Sequence, residues 1–149
     1  LTDLTAHGTD IEIITNAVSS GANPWGCTDY LNQKKNIWNT GVKVHEFMGK
    51  PSCHTKALLI DERMTILGSY NMDMRSTYQD TELMLAVDSR ELNAKMAKEM
   101  EHDKTYSRTM GEDGTYIYGE YYKEKEMSTG KKVFYGLLRV LTIPIRRFL

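Results

Sequence analysis

Cys53-His-Thr-Lys-Ala-Leu-Leu-Ile-Asp-Glu-Arg-Met-Thr-Ile-Leu-Gly-Ser-Tyr-Asn-Met-Asp-Met-Arg-Ser76 places His54, Lys56, Asp61, Ser69, Asn71, Asp73 and Arg75 among short apolar runs. Ala57 to Ile60 is a continuous apolar run of the kind that forms a buried strand. Asp61-Glu-Arg is a turn-compatible break, and Met64 to Leu67 reads as the returning strand. Residues two apart in an extended chain share a face, so His54 and Lys56 are expected on one side. The hairpin would bring Ser69 and Asn71 to the same level. A cation, an amide and a hydroxyl converging on an imidazole suit a phosphate diester: donors hold the non-bridging oxygens while the imidazole attacks phosphorus or protonates the leaving oxygen.

Working outward, Leu1 to His7 reads as the end of a helix stopped by Gly8, and Ile11 to Ile14 as a short strand. Asn16 to Gly26 is rich in turn formers and is predicted as a loop, with Thr28 or Asp29 capping a helix that runs to Gly41. Val42 to Phe47 alternates as a strand. Strand, helix, strand argues a parallel crossover, and the hairpin around Asp61 is expected to join the same sheet. Thr81 to Val87 is a further strand with Glu82 at its start. Ser89 caps a helix from Arg90 to about Lys104 whose Leu92, Met96 and Met100 form a packing stripe. The pattern breaks after Tyr106. Met110 to Gly114 reads as a loop and Glu120 to Met127 as a candidate helix. Lys131 to Leu149 mixes Val133, Phe134, Leu137, Leu138, Leu141 and Ile145 with Lys131, Lys132, Arg139, Arg146 and Arg147. That face suits either packing on protein or an anionic bilayer.

The spacing His54-x-Lys56-x4-Asp61-x6-Gly68-Ser69-x-Asn71, continued by Asp73, Arg75-Ser76 and Glu82, resembles the HKD signature of the phospholipase D superfamily. Its Asn-x-Asp-x-Arg-Ser run is similar to the bacterial cardiolipin synthase and phosphatidylserine synthase-like branch. The resemblance implies an α/β fold, the phospholipase D-like sandwich of a mixed β-sheet flanked by helices. It also implies an active site built from two such motifs. One histidine of the pair forms a phosphohistidine and the other protonates the departing alcohol. His54 would be one of them, Lys56 and Asn71 would hold the phosphate with Ser69 beside them, and Glu82 would orient the imidazole. Asp61, Gly68, Asp73 and Arg75 would shape the motif. His7, His45 and His102 lack such neighbours and read as structural or solvent-exposed. No cofactor and no metal are implied.

Only one motif is present, so the chain reads as half of a site, with a core of about residues 1–105 and an extension of about 106–149. Its partner would be a second HKD half in the same full-length chain, or another copy in a homodimer. The implied substrate is a phosphatidylglycerol-like phospholipid, with a membrane surface as a further partner. The full-length protein would then work at the cytoplasmic face of the cell membrane, while this fragment is expected to be soluble. Two competing readings are a homodimeric phosphodiesterase or nuclease and an inactive half or phosphate-binding module. The 149 residues are 40% hydrophobic and 26% charged, enough for one core, and a net charge of −1 gives no general field for nucleic acid. Cys27 and Cys53 make neither a disulfide framework nor a metal spacing. The start at Leu1 suggests a piece of a longer protein, and no apolar run nears the ~20 residues that span a bilayer.

Overall fold

Asn23 and Pro24 start the second helix earlier than the sequence reading places it. The Asn23 side chain accepts a hydrogen bond from the Trp25 N–H and proline occupies the first helical turn, where its missing donor costs nothing. The computed structural model describes residues 1–21, 23–111 and 113–148, with the side chain of Arg147 set aside. Ala22 in the predicted loop, Glu112 in the Met110–Gly114 loop and Leu149 at the end of the basic tail lie outside the described residues.

The chain runs α1 (Thr2–Ala6), β1 (Glu12–Asn16), α2 (Pro24–Trp38), β2 (Lys43–Phe47), β3 (Ala57–Ile60), β4 (Met64–Gly68), α3 (Met74–Tyr78), β5 (Met84–Asp88), α4 (Arg90–Thr105), β6 (Ser107–Met110), β7 (Tyr116–Tyr118) and α5 (Thr129–Leu141). Gly8, at φ +85°, closes α1 as expected of a glycine stop. β1 and β2 pair in parallel across α2, with Ile13 opposite Val44.

The hairpin does not join that sheet as expected. The strands form two sheets, a mixed one ordered β1-β2-β6-β7 and an antiparallel one ordered β3-β4-β5. Residues 48–56 are irregular and add no ladder to β1. The link is a side chain: Asn16, at the end of β1, donates to the Cys53 carbonyl at 2.6 Å and accepts from the Cys53 N–H at 2.8 Å. One carboxamide thus does locally what a neighbouring strand would do. At the far end of the hairpin Asp61 and Glu62 stand at φ +48° and +53°. Two consecutive left-handed residues make the turn whose twist matches that of paired strands.

β2 is buried on both faces because helices cover both sides of the mixed sheet. Val44 and Glu46 point toward α2, where the Tyr30 hydroxyl and the Lys34 ammonium bond Glu46. His45 and Phe47 point the other way, Phe47 meeting the Tyr106 ring just past α4. α5 packs outside α2, with Tyr135 buried against Val18 and Cys27. α4 begins at Ser89 as predicted, Ser89 accepting from the Leu92 N–H, and its Leu92, Met96 and Met100 stripe is half-buried. Asn93, buried among them, donates to the Met64 carbonyl at 2.8 Å and ties α4 to the second sheet.

Three further expectations are corrected. Ala57–Ile60 is not a buried strand, since Leu58 is 54% exposed. β6 and β7 occupy part of the stretch after Tyr106 that lacks a clear pattern: β6 pairs antiparallel with the free edge of β2, and β7, which carries Tyr116 and Tyr118, pairs with β6. Residues 120–127 are not helical. The segment starts instead in a turn, the Tyr122 N–H donating to the Gly119 carbonyl at 3.1 Å, and tertiary contacts hold it: the Tyr121 N–H donates to the Thr105 carbonyl at 2.8 Å, and the Tyr122 ring lies 4.9 Å from that of Tyr118.

Candidate active site

The site is assembled where β3 and β5 begin and β4 ends. The Gly68 N–H donates to the Lys56 carbonyl at 3.1 Å, which extends the β3–β4 pairing by one residue toward His54. Gly68 is required there by contact: a Cβ on it would lie 2.0 Å from the Leu83 carbonyl oxygen and 2.7 Å from the Met84 sulfur. With no side chain in the way, the Ser69 N–H donates to the Leu83 carbonyl and the Ser69 hydroxyl oxygen accepts from the Leu83 N–H, both at 3.0 Å. The Ser69 hydroxyl also donates to the Glu82 carboxylate at 2.5 Å.

Glu82 sits just before β5 rather than inside a strand. Hydrogen bonds from Ser69 and Ser76, followed by the charges of Lys56 and Arg75, hold its carboxyl below the ordinary carboxylate range. That lowering has a test. Replacing Ser69 with alanine removes the largest contribution, so carbon-detected NMR titration of Ser69→Ala is expected to show the Glu82 midpoint moving up toward that of a free glutamate. An unmoved midpoint would show that the hydroxyl does not hold the carboxylate.

His54 is exposed, on the irregular segment just before β3, and the Lys56 ammonium turns back to donate to the His54 carbonyl at 2.9 Å. Lys56, Gly68, Ser69, Ser76, Arg75 and Glu82 are therefore gathered at one edge, with the His54 backbone tied to it through Lys56. Among the described residues Glu82 is bonded by serines and not by the His54 ring. Asn71 is exposed on the short link between β4 and α3. Asp73 caps α3, accepting from the Ser76 N–H at 2.7 Å, and so positions the serine that bonds Glu82. Arg75 pairs with Asp80 at 3.1 Å and not with Asp73. Asp61 sits in the turn at the opposite end of the hairpin.

Beside His54 an open pocket of about 640 Å³ is lined by Cys53, Thr55, Phe47, His102 and Tyr106 among others. His102, expected to be structural or solvent-exposed, is exposed, and α4 carries it to the wall of the pocket that His54 lines, packed edge-on against Tyr106 with ring centres 5.3 Å apart. No local sequence signal marks that meeting, since it depends on how the end of α4 crosses the loop before β3. His45 is buried, its Nδ1 2.7 Å from the Thr109 hydroxyl, and burial pushes its imidazole below the ordinary value. His7 lies against the Asp3 carbonyl in α1. Among the described residues, no group of three or more histidine, cysteine or carboxylate side chains is placed to hold a metal ion.

The family described as "Cardiolipin synthase, PLD-like domain" matches residues 1–104, a stretch that contains the whole site. Cardiolipin synthase A of Wigglesworthia glossinidia brevipalpis is 30% identical over 86 residues, covering 58% of this chain and 17% of that protein. Cardiolipin synthase A of Escherichia fergusonii is 35% identical over 72 residues, 48% of this chain and 15% of that protein. The chain thus spans less than a fifth of the length of these curated relatives. Among solved structures, phosphatidylserine synthase of Haemophilus influenzae Rd KW20 is similar with a TM-score of 0.61 at 16% identity, over 99% of this chain and 37% of that one. The phospholipase D family member Nuc of Salmonella typhimurium is similar with a TM-score of 0.58 at 17% identity, over 73% of this chain and 69% of that one. These two share the fold. Together with the motif gathered at the edge of the second sheet, the match over residues 1–104 shows that the chain belongs to the phospholipase D-like cardiolipin synthase domain family.

Proposed function

We propose that this chain is the carboxy-terminal catalytic half of a cardiolipin synthase-like phosphatidyltransferase that works with a second HKD half. The observation that carries the reading is the meeting of Lys56, Ser69 and Glu82 at one strand edge, with an exposed imidazole two residues before Lys56. Lys56 supplies a point charge and Asn71 an amide for the non-bridging phosphoryl oxygens. His54 supplies one of two imidazoles. One imidazole nitrogen attacks the phosphorus of a phosphatidylglycerol, a nitrogen–phosphorus bond forms, and the bond to the glycerol oxygen breaks as the other imidazole protonates that oxygen. The hydroxyl of a second phosphatidylglycerol then attacks the same phosphorus. It gives its proton to the second imidazole and displaces the first, so the net products are a cardiolipin and glycerol. The Glu82 carboxylate and its two serines place a negative charge near Lys56, whose ammonium bonds the His54 carbonyl.

The test is glycerol release from phosphatidylglycerol vesicles by the chain alone and by the chain joined to a second His-x-Lys half. Release by the joined protein and silence from the chain alone support the reading. Turnover of a soluble diester by a dimer of this chain alone would replace it with the homodimeric diesterase.

A further inference from the structure

α5 is apolar on two opposite faces, and among the described residues one of them is buried and the other exposed. Tyr135 and Leu138, with Thr142 one turn beyond, are buried on the side that meets α2. The helix is fastened there by polar bonds: Arg139 Nε donates to the Asn32 side-chain oxygen at 2.9 Å, and Asn32 returns a bond to the Arg139 carbonyl at 3.0 Å. Just past the helix, Arg146 bonds Asp29 at 2.7 Å. The opposite face carries Val133, Phe134, Leu137, Val140 and Leu141 at helical spacing, each between 49% and 68% exposed. Ile143 and Phe148, 68% and 64% exposed, add apolar surface past the helix end.

We infer that this face of α5 seats the domain on an anionic bilayer. Charge decides between lipid and protein as the occupant. From Thr129 to Leu149 the sequence has Lys131, Lys132, Arg139, Arg146 and Arg147 and no aspartate or glutamate. Arg146 is matched by Asp29, but among the described residues Lys131 and Arg139 bond only uncharged oxygens and Lys132 is exposed, so the charge of these three is left unmatched and a protein partner covering the face would need acids for it. An anionic leaflet supplies them as headgroups around the inserted side chains, and basic residues beside such a surface each add to the attraction. Lys132 is exposed beside the apolar stripe, free to meet a headgroup.

Placement agrees with this occupant. At the start of α5 the Lys131 ammonium donates to the Ser19 carbonyl, and the neighbouring Ser20 hydroxyl donates to the Phe47 carbonyl. Asn16, three residues before Ser19, holds the Cys53 backbone beside His54. The lipid-facing helix therefore begins at the end of the mixed sheet that supports the motif segment. The inference extends the phosphatidyltransferase reading by giving that site a means of standing at the surface its substrate occupies.

The experiment is co-sedimentation of the 149-residue chain with vesicles of phosphatidylcholine and with vesicles in which about a third of the lipid is phosphatidylglycerol. The wild type is expected to bind the anionic vesicles and to lose binding as salt rises, with little binding to phosphatidylcholine alone. Leu137→Glu with Val140→Glu is expected to weaken that binding by at least about tenfold, because two inserting side chains become anions. Both positions are exposed, so circular dichroism should show the fold unchanged. Lys132→Glu, which leaves the apolar face intact, is expected to weaken binding less. Wild-type protein that stays in the supernatant with anionic vesicles, a double variant that binds as the wild type does, or a dimer held through α5 that ignores vesicles would each overturn the inference. None of these readouts involves turnover, so vesicle binding by this chain together with no glycerol release from the joined two-half protein would sink the catalytic reading and leave this surface standing.

Discussion

His54→Ala, made in the chain joined to a second His-x-Lys half, lowers glycerol release from phosphatidylglycerol by about 10²–10⁴-fold, the range over which a positioned proton-transfer side chain acts. The loss is expected to appear equally with a soluble diester such as bis(p-nitrophenyl) phosphate, because the missing imidazole serves the phosphorus and not the lipid tails. The variant should still fold. His54 is exposed and lies outside any strand, and substitutions at such positions stay within about 0.5 kcal/mol of wild-type stability. A companion change, Lys56→Met, removes the ammonium that reaches the His54 carbonyl and faces Glu82. It should reduce turnover while keeping the imidazole. Steady-state rates beside thermal melting curves check both. A His54→Ala protein with more than a third of wild-type turnover would remove that residue from the chemistry.

Glu46→Ala should unfold the chain more readily than any change at the motif. Glu46 is 3% exposed and carries three partners: Lys34 at 2.6 Å, Arg108 at 2.7 Å and the Tyr30 hydroxyl at 2.9 Å. Taking one member from a buried ion pair costs about 3–5 kcal/mol because the remaining charge stays uncompensated. Lys34 and Arg108 keep 23% and 24% of their side chains in water, so the lower end, about 3 kcal/mol, is expected. The same group makes the fold sensitive to acid. Burial works to raise the Glu46 carboxyl, but Lys34 and Arg108 outweigh it and hold the group below its ordinary value. A carboxyl depressed in the folded state contributes its stability fully above the unfolded-state pKa of about 4.3, and that stability is lost as pH falls through the lower folded value. Urea denaturation between pH 7 and pH 3 should show wild-type stability dropping at the acid end, with a smaller drop in Glu46→Gln.

Neither Glu46 nor its partners could be paired from the sequence. Val42 to Phe47 reads as an alternating strand, which puts Glu46 on the face of Val42 and Val44 but names no partner for its carboxylate. Its burial depends on Arg108 and Tyr116, which lie in a segment with no clear periodicity. β6 and β7 exist because β2 offers an edge, and the tyrosines that obscure the pattern stack on one another and on Arg108. The motif edge was more legible because its contacts are short in sequence. Ser69 reaches Glu82 across one strand connection, Asp73 caps the helix that carries Ser76, and Gly68 clears the space between β4 and the chain before β5. Local chemistry also explains Ser89 and Gly8. What local chemistry does not carry is which sheet a hairpin joins, and Asn16 bridging to Cys53 has no sequence signature.

The central claim is that an imidazole in this kind of half-site takes the phosphatidyl group covalently, and it is tested most directly by trapping that group. Phosphatidylglycerol labelled at phosphorus is mixed with the joined two-half protein, quenched in alkali during turnover, and the protein is separated from lipid. Protein-bound phosphorus that survives base and is released by mild acid, as a phosphohistidine must be, is the expected result. Turnover at full rate with no bound label, or with label that resists acid, would contradict it.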